Sequence, residues 1–417
     1  MSLDDVDLSD PDTFVTDIPH AAFKRLRAEA PIHWQPEKVG KGFWAITRYA
    51  DLLAVSKDPL TFSSALGGTN LFELNEEELS TIRILMLNMD PPRHNKFRRL
   101  VSMGFTPRLV TQLEPHIREI CGELVDKVMT RGAFDFVTEV AAELPLLVIA
   151  EMLGVPAVDR HKVFDWSNRL IGFDDPEYRT SMTDGKIAAA EMWAYANQLA
   201  SERKQHPLGD LVSVLLEAEV DGDRLTEMEF DSFFLLLAVA GNETTRNLIS
   251  GGMRTLLEHP EERDRLLADP SLLPTAIEEM LRWVSPLIHF RRTATREVEM
   301  HGQRIREGDK VVIFYPSANR DEAMFRFPER FDIGRTPNEH VAFGIGEHFC
   351  LGANLARLEI RLIFEELLRR VPDLALDGPV RRLRSNFING IKAMPVRRGS
   401  VSRSGTGRSS SRSARPV

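Results

Sequence analysis

The chain has 417 residues, of which 43% are hydrophobic, so it is long and apolar enough to bury a large core. Its net charge of −9 argues against nucleic acid as the main partner, and two cysteines cannot form a disulfide framework. The acidic start has no signal-peptide pattern and no run of 18 uncharged apolar residues occurs, so we expect a cytoplasmic protein without a membrane span.

The predicted elements begin with a β-hairpin over residues 31–49, where apolar and polar residues alternate around a glycine-containing turn. The next strong signal is a helix of about 33 residues, about 50 Å long. Thr226 and Glu229 have capping-box spacing at its start, and the dipeptide His259-Pro260 ends it. Its central stretch FFLLLAVAG is apolar on every side, which predicts burial in the middle of the protein.

Three further segments follow the long helix. Residues 274–284 predict a helix that begins at a proline, and residues 297–319 predict two short strands joined by a His-Gly turn. Residues 351–371 predict an amphipathic helix whose outer face pairs Arg361 with Glu365. Together the elements predict one mainly α-helical domain with small peripheral β-sheets over residues 1–398, followed by a disordered basic Ser/Arg-rich tail over 399–417.

One of the two cysteines lies in an unusual setting. Cys350 follows the glycine-rich run FGIGEHF and precedes the amphipathic helix, whose free N–H groups and positive dipole end stabilise a thiolate. A single thiolate in a loop that a flat ligand can approach suits axial ligation of haem iron. Cys121 has helical spacing with Ile117 and Leu124, which predicts a buried, inert thiol.

The segment FGIGEHFCLG matches the haem-ligand signature of the cytochromes P450, F-x-x-G-x-H/R-x-C-x-G, at every defined position. Glu279 and Arg282 resemble the E-x-x-R ion pair of that family, and Phe331 and Arg335 resemble anchors of its meander segment. The resemblance covers roughly residues 10–397. It implies the single-domain P450 fold, with haem b between the long central helix and the helix of the cysteine loop.

The resemblance also implies which residues hold the cofactor. Cys350 would bind the iron, and Arg291 would compete with Arg292 for a propionate. The positions matching cofactor contacts of the family are Phe343, Gly344, His94, Arg98, Arg292, His348, Ala240 and Gly241.

The segment AGNETT, residues 240–245, resembles the oxygen-activation motif of the family. Ala240 and Gly241 would leave room beside the iron. The Thr244 hydroxyl can bond to the carbonyl four residues earlier and open the helix locally. Glu243 and Thr244 would then be the catalytic pair that delivers protons for dioxygen activation.

The substrate pocket implied by the resemblance is mostly apolar, which predicts an apolar substrate. The candidate substrate-binding residues are Leu236, Val239, Ala240, Thr244, Leu287, Ile288, Phe290, Phe387 and Ile388.

The resemblance therefore implies a monomeric bacterial monooxygenase that hydroxylates a steroid, a terpenoid or a methyl-branched lipid. No flavin-binding segment is present in the sequence, so electrons would come from a ferredoxin and its NAD(P)H-dependent reductase. Lys96, Arg99, Arg357 and Arg361 would steer the ferredoxin, with ordinary solvated helix charges as the alternative interpretation. A peroxide-driven peroxygenase and a non-enzymatic haem sensor are the alternative functions, and the acid–alcohol pair argues against both.

Overall fold

The computed structural model describes residues 6–172, 174–178, 181, 183–208 and 210–399. The described residues form a mostly helical fold with small sheets, and this confirms the predicted fold class. Of the tail predicted to be disordered, only Gly399 is described, and its N–H bonds to the Asp373 carbonyl at 2.8 Å. The rest of that prediction lies outside the described residues.

Most of the described chain is helical. The α-helices are α1 (His20–Glu29), α2 (Tyr49–Lys57), α3 (Glu76–Ile82), α4 (Arg93–Ser102), α5 (Pro107–Met129), α6 (Glu143–Met152), α7 (Arg160–Ile171), α8 (Asp184–Gln205), α9 (Leu211–Glu217), α10 (Glu227–Glu258), α11 (Pro260–Ala268), α12 (Leu273–Val284), α13 (Tyr315–Ala318) and α14 (Ala353–Arg370).

The long helix α10 is the centre of the fold. Thr226 and Glu229 form the predicted capping box, and His259 ends the helix before a proline. At 1.5 Å per residue its 32 residues span about 48 Å. It packs against α6, α7, α8, α12 and α14, so most of its side chains are buried on every side. The predicted burial of its central stretch is therefore confirmed, except at Leu236, Val239, Ala240 and Gly241, which are partly or fully accessible.

The strands lie at the edge of the helical body. They are β1 (Ile32–Gln35), β2 (Phe43–Ile46), β3 (Phe62–Ser63), β4 (Ala133–Asp135), β5 (His289–Ala294), β6 (Val298–Met300), β7 (Gln303–Ile305), β8 (Lys310–Phe314), β9 (Leu374–Leu376), β10 (Arg381–Arg382), β11 (Ile391–Ala393) and β12 (Pro395–Arg398).

A five-stranded sheet of order β1-β2-β8-β5-β3 is the largest of the sheets. Strands β1 and β2 form the predicted hairpin, with Trp34 opposite Trp44. The predicted pair β6 and β7 is also present, and the same sequence segment continues into β8, which pairs in parallel with β2. Strand β5 was not predicted, because its sequence HFRRTA lacks the apolar alternation of a strand.

The predicted E-x-x-R pair lies at the join between helices and loops. Arg282 Nη2 contacts Glu279 Oε1 at 2.8 Å, and both side chains are fully buried. Arg335 Nε contacts the other Glu279 oxygen at 3.0 Å. Arg282 also donates to the carbonyls of Asn319 and Pro328 at 2.8 and 3.0 Å. The pair therefore fixes the irregular segment that precedes the Cys350 loop.

A nearby ring cluster holds the same segment. The ring of Phe331 packs against those of Trp283 and His259, with centroid distances of 5.6 and 5.2 Å. Arg335 also donates to the Arg330 carbonyl at 2.8 Å, so Phe331 and Arg335 both contact this segment.

Candidate active site around Cys350

The loop before α14 presents Cys350. Its backbone N–H donates to the Phe343 carbonyl at 2.9 Å, which closes the loop on itself. Gly344 and Gly346 have φ of 70° and 76°, a conformation that favours glycine. A Cβ on Gly346 would come within 2.5 Å of the Ser56 carbonyl oxygen, so the loop packs directly on the end of α2. These glycines fix the position from which the thiol projects.

Cys350 as a residue is half-buried at this loop. Burial raises the pKa of the Cys350 thiol, whereas a hydrogen bond from the Gly352 amide and the charges of Arg98 and Arg357 lower it. Cys121 lies inside the helical core, where burial raises the pKa of its thiol strongly. Of the two cysteines, only Cys350 lies in a loop with nearby positive charges, where its sulfur can bind a metal ion as a thiolate.

Cationic and imidazole groups surround the loop. The rings of His94 and His348 lie 4.3 Å apart, and His348 Nε2 lies 3.2 Å from Ser64 Oγ. Arg98 donates to the carbonyls of Glu347 and Phe349 at 3.2 and 2.6 Å, so it is bound to the loop itself. Burial, together with the charges of the neighbouring groups, lowers the pKa of His348 to about 2.

Few anions face this cluster: among the described residues, the partly exposed Glu347 carboxylate lies 3.9 Å from His94 Nδ1. Arg292 is buried and donates to the Arg291 carbonyl at 2.9 Å, but it forms no ion pair with any of the described residues. The buried Nε2 of His94 has no hydrogen-bond partner in the described part of the chain. Buried cations require a counter-charge, so the cluster fits a ligand that carries carboxylates, as the propionates of haem do.

The choice between the two arginines of β5 follows from their directions. Arg291 Nη1 donates to the Phe72 carbonyl at 2.9 Å, and its guanidinium lies against Gly67. Successive side chains of a strand point to opposite faces, so Arg292 points the other way. Arg291 therefore holds the loop around Phe72, and Arg292 remains the candidate for a propionate.

Helix α10 presents one accessible stripe in its otherwise buried central stretch. Leu236, Ala240 and Thr244 recur every four residues, and all three are partly or fully accessible, whereas Ala238 and Asn242 are buried. Thr244 Oγ1 donates to the Ala240 carbonyl at 2.9 Å, as expected. The α-helix is nevertheless continuous from Glu227 to Glu258, so the expected local opening is absent.

Glu243 points away from this stripe. It is buried, and its Oε2 contacts Arg246 Nη2 at 2.5 Å. Arg246 Nη1 in turn donates to Asn168 Oδ1 on α7 at 3.2 Å. Burial raises the pKa of Glu243, and the charge of Arg246 lowers it. Sequence reasoning missed both partners; the i,i+3 spacing of Glu243 and Arg246 was a signal for an ion pair, and Asn168 had none.

The expected role of Gly241 needs correction. A Cβ at this position would lie 3.1 Å from Ile149 Cδ1 on α6. The missing side chain therefore allows α10 and α6 to approach each other, rather than leaving room for a ligand. Ala240, one residue earlier, faces the accessible stripe.

The substrate candidates divide into three places. Leu287, Phe290, Phe387 and Ile388 pack together with Leu383 and Tyr178 in a small apolar cluster. Leu236 and Val239 pack against the helical core, next to the accessible stripe of α10. Ile288 does not belong with either group. It is fully buried in the core formed by the N-terminal segment and the sheet, because its side chain alternates with those of its neighbours.

The four cations expected to steer a ferredoxin are all paired. Lys96 contacts Asp223, and Arg99 contacts Asp221 at 3.2 Å. Arg357 contacts Glu278 at 2.7 Å. Arg361 contacts acids of α5 and of its own helix at 2.9 and 3.0 Å. All four cations therefore belong to ion pairs within the described chain, as the alternative interpretation of ordinary helix charges expects.

Two absences concern the described residues only. Over this part of the chain no helix is long and apolar enough to cross a membrane. The same residues contain no group of three or more His, Cys, Asp or Glu side chains arranged to hold a metal ion.

Known proteins resemble this chain over nearly its whole length. The cytochrome P450 family model matches residues 146–371. A steroid C26-monooxygenase of Rhodococcus jostii is 45% identical over 400 residues, which cover 94% of this chain and 84% of the relative. A methyl-branched lipid omega-hydroxylase of Mycobacterium bovis is 44% identical over 393 residues, 91% of each chain.

A solved structure is similar to this chain in both fold and sequence. A Mycobacterium marinum cytochrome P450 in complex with pseudoionone has a TM-score of 0.84 at 43% identity, covering 91% of this chain and 94% of its own. The chain therefore belongs to the cytochrome P450 family, as a monooxygenase whose haem iron is bound by the thiolate of Cys350.

Proposed function

We propose that this enzyme hydroxylates an apolar small molecule, namely a steroid, a terpenoid or a methyl-branched lipid, with dioxygen and electrons from a ferredoxin and its NAD(P)H-dependent reductase. The observation that carries the proposal is the apolar character of the accessible stripe of α10. Leu236, Val239 and Ala240 precede Thr244, and no charged side chain belongs to the stripe. When bound, haem supplies an iron that binds and reductively activates dioxygen.

The apolar cluster supports the same class of substrate. Phe290 and Phe387 pack with ring centroids 5.8 Å apart, and Leu287 bridges to Ile388. Aliphatic and aromatic walls recognise shape and apolar area rather than charge. The names of the relatives, a steroid C26-monooxygenase and a methyl-branched lipid omega-hydroxylase, support apolar molecules of these two classes as substrates.

Within the site we propose that Glu243 and Thr244, the acid–alcohol pair, deliver the protons for dioxygen activation. Thr244 is the accessible hydroxyl on the stripe, and Glu243 is the buried carboxyl behind it. Thr244 positions protons at the ligand side of α10, and Glu243 resupplies them. Arg246 holds Glu243 in place and was not anticipated from the sequence.

For ferredoxin docking we retain the face around α4, with a change in its description. Lys96 and Arg99 are about half exposed, and so is Asp223, whereas Asp221 is more exposed still. Exposed ion pairs contribute only about 0–1 kcal/mol, so acids of a ferredoxin can replace the two aspartates. Phe349, next to Cys350, is exposed, and its carbonyl accepts a hydrogen bond from Arg98 of α4 at 2.6 Å. We also propose that the protein is a monomer. We place it in the cytoplasm, where ferredoxins can deliver electrons to it.

The test is a binding and turnover panel on the purified holoenzyme. Sterols, terpenes and methyl-branched fatty acids are titrated, and the shift of the haem Soret band reports binding. Turnover is then compared with ferredoxin, reductase and NAD(P)H, with hydrogen peroxide alone, and with neither. We expect one class to bind and to be hydroxylated only with the ferredoxin system.

Each other outcome contradicts part of the proposal. Equal turnover with peroxide alone would indicate a peroxygenase, and binding of gases without any turnover would indicate a sensor. Preference for small charged molecules would overturn the apolar-substrate assignment.

A further inference from the structure

Arg357 stacks on an aromatic ring of the cysteine loop. Its guanidinium carbon lies 4.6 Å from the centroid of the Phe343 ring, which is a cation–π distance. The Phe343 carbonyl accepts the hydrogen bond from the Cys350 amide at 2.9 Å. The positive charge of Arg357 therefore lies against Phe343, the residue that is hydrogen-bonded to the backbone of Cys350.

A carboxylate fixes Arg357 in this position. Glu278 of α12 accepts from Arg357 Nε at 2.7 Å and from Arg357 Nη2 at 2.8 Å. His340 Nε2 lies 3.0 Å from the same carboxylate, and the His340 side chain is almost completely buried. Although burial raises it, the hydrogen bonds from Arg357 and His340 lower the pKa of Glu278 to about 2. Glu278 is therefore an anion at neutral pH.

We propose that Arg357 and Glu278 act as an opposed pair of charges that sets the reduction potential of the haem iron, with Arg357 raising the potential and Glu278 lowering it. Arg357 is a positioning residue in this role, since it acts through Phe343 and Cys350. The reaction concerned is a one-electron step: Fe(III) becomes Fe(II), the donor loses one electron, and no bond forms or breaks. Reduction adds one negative charge beside the thiolate, so a nearby cation favours it and a nearby anion opposes it.

Ordinary surface pairing does not account for this arrangement. The Arg357 side chain is 35% exposed, and it combines a two-point contact to a carboxylate with stacking on an aromatic ring. Arg361 lies one turn later on the same helix and is 32% exposed, and its ion pairs among the described residues are with Glu114 and Glu365. Two arginines of similar exposure and equal charge therefore differ in their connection to the cysteine loop.

The experiment is a spectroelectrochemical titration of the substrate-free holoenzyme with dithionite and redox mediators. Arg357→Gln should shift the midpoint potential to a more negative value, and Glu278→Gln should shift it to a more positive one. Arg357→Lys keeps the charge and should return the potential toward that of the unmodified enzyme. Arg361→Gln and Glu365→Gln are the matched controls, and both should leave the potential unchanged. The reduced CO spectrum of each variant shows that its thiolate ligation is intact.

Three outcomes overturn the proposal: equal potentials in Arg357→Gln and Arg361→Gln, shifts of the same sign in Arg357→Gln and Glu278→Gln, or no rescue by lysine. If Arg357→Gln fails to take up haem, the sign of the shift in Glu278→Gln still decides the question. The measurement requires neither a substrate nor a ferredoxin, so it is independent of the function proposed above.

Discussion

Two neighbouring residues of α10 face different sides of the helix. Successive residues of an α-helix are about 100° apart, so Thr244 lies on the accessible stripe while Glu243 lies in the interior against Arg246. The motif AGNETT thus contains one group that can contact bound ligands and one that can act only from behind it. This division leads to different expectations for the two side chains.

Thr244→Ala should uncouple the enzyme rather than stop it. Loss of general-acid assistance typically slows the assisted step by about 10²–10⁴-fold, and here that step competes with release of peroxide. We expect nearly normal substrate binding, less product per NAD(P)H and more hydrogen peroxide. Thr255→Ala is the control, because Thr255 makes the same kind of bond to the Gly251 carbonyl at 2.8 Å, three turns away. If the variant instead formed normal product per NAD(P)H but bound substrate more weakly, Thr244 would only line the pocket, and its role in proton delivery would be contradicted.

Arg246→Gln should change the pH dependence of oxygen consumption. Burial raises the pKa of Glu243 and Arg246 lowers it, so removing the arginine leaves the carboxyl protonated up to a higher pH. The limb of the pH profile that follows ionisation of Glu243 should therefore move to higher pH, and Glu243→Gln should remove it. Arg254→Gln, which loses an exposed pair on the same helix, should leave the limb in place. A limb that moved to lower pH would contradict the assignment.

At the scale of elements, local signals predicted the bounds of α10 closely but did not predict β5. The capping box at Thr226 and the proline after His259 define α10 within a residue, because both act within one turn. Strand β5 gave no such signal. Its arginines are buried because the loop around Phe72 covers one face and the Cys350 region lies on the other. Neither neighbour is visible in the local sequence.

Glu279→Gln should destabilise the fold strongly. The change leaves Arg282 and Arg335 without their anion, and Arg282 is fully buried. Breaking a buried pair in this way costs about 3–5 kcal/mol. The midpoint of urea unfolding, followed by loss of the haem spectrum, measures the effect. Glu258→Gln removes a more exposed partner, that of Arg254, and should cost less than about 1 kcal/mol. Equal midpoints for the two variants would contradict a structural role for the buried pair.

At the scale of the whole molecule, three larger cores meet near the site. The helical core contains α10 and packs against Phe343 and Leu351 of the cysteine loop, a second core packs against Ile345 of that loop, and a third joins the N-terminal segment to the sheet. Leu287 and Ile288 are adjacent in sequence, yet they belong to different clusters. The resemblance placed both in the substrate pocket, because a motif gives a position in the chain and not the side to which each residue points.

Phe387→Ala and Ile288→Ala test this separation. Burying a phenylalanine side chain is worth about 1.5–3 kcal/mol, so Phe387→Ala should weaken the binding of an apolar substrate by roughly tenfold or more. Ile288→Ala should leave binding unchanged and lower stability by about 2–5 kcal/mol, because Ile288 is fully buried in the third core. Soret titrations give the affinities, and urea unfolding gives the stabilities. If Ile288→Ala bound the substrate more weakly and unfolded at the normal urea concentration, Ile288 would be a pocket residue and the separation would be contradicted.

The long-range contacts could not be predicted from the sequence. The link from Arg246 to Asn168 and the stacking of Arg357 on Phe343 join residues on separate elements, and each depends on how those elements pack. The cysteine loop was predictable in detail because its glycines, its cysteine and the following helix act within a dozen residues.

The central claim is that the thiolate of Cys350 binds the haem iron, and the reduced CO difference spectrum tests it most directly. The unmodified enzyme and the control Cys121→Ser should both absorb at the long-wavelength position that is diagnostic of thiolate ligation. Cys350→His should lose that band while still binding haem. A Cys350→His variant that kept the thiolate band, or a Cys121→Ser variant that lost it, would contradict the account.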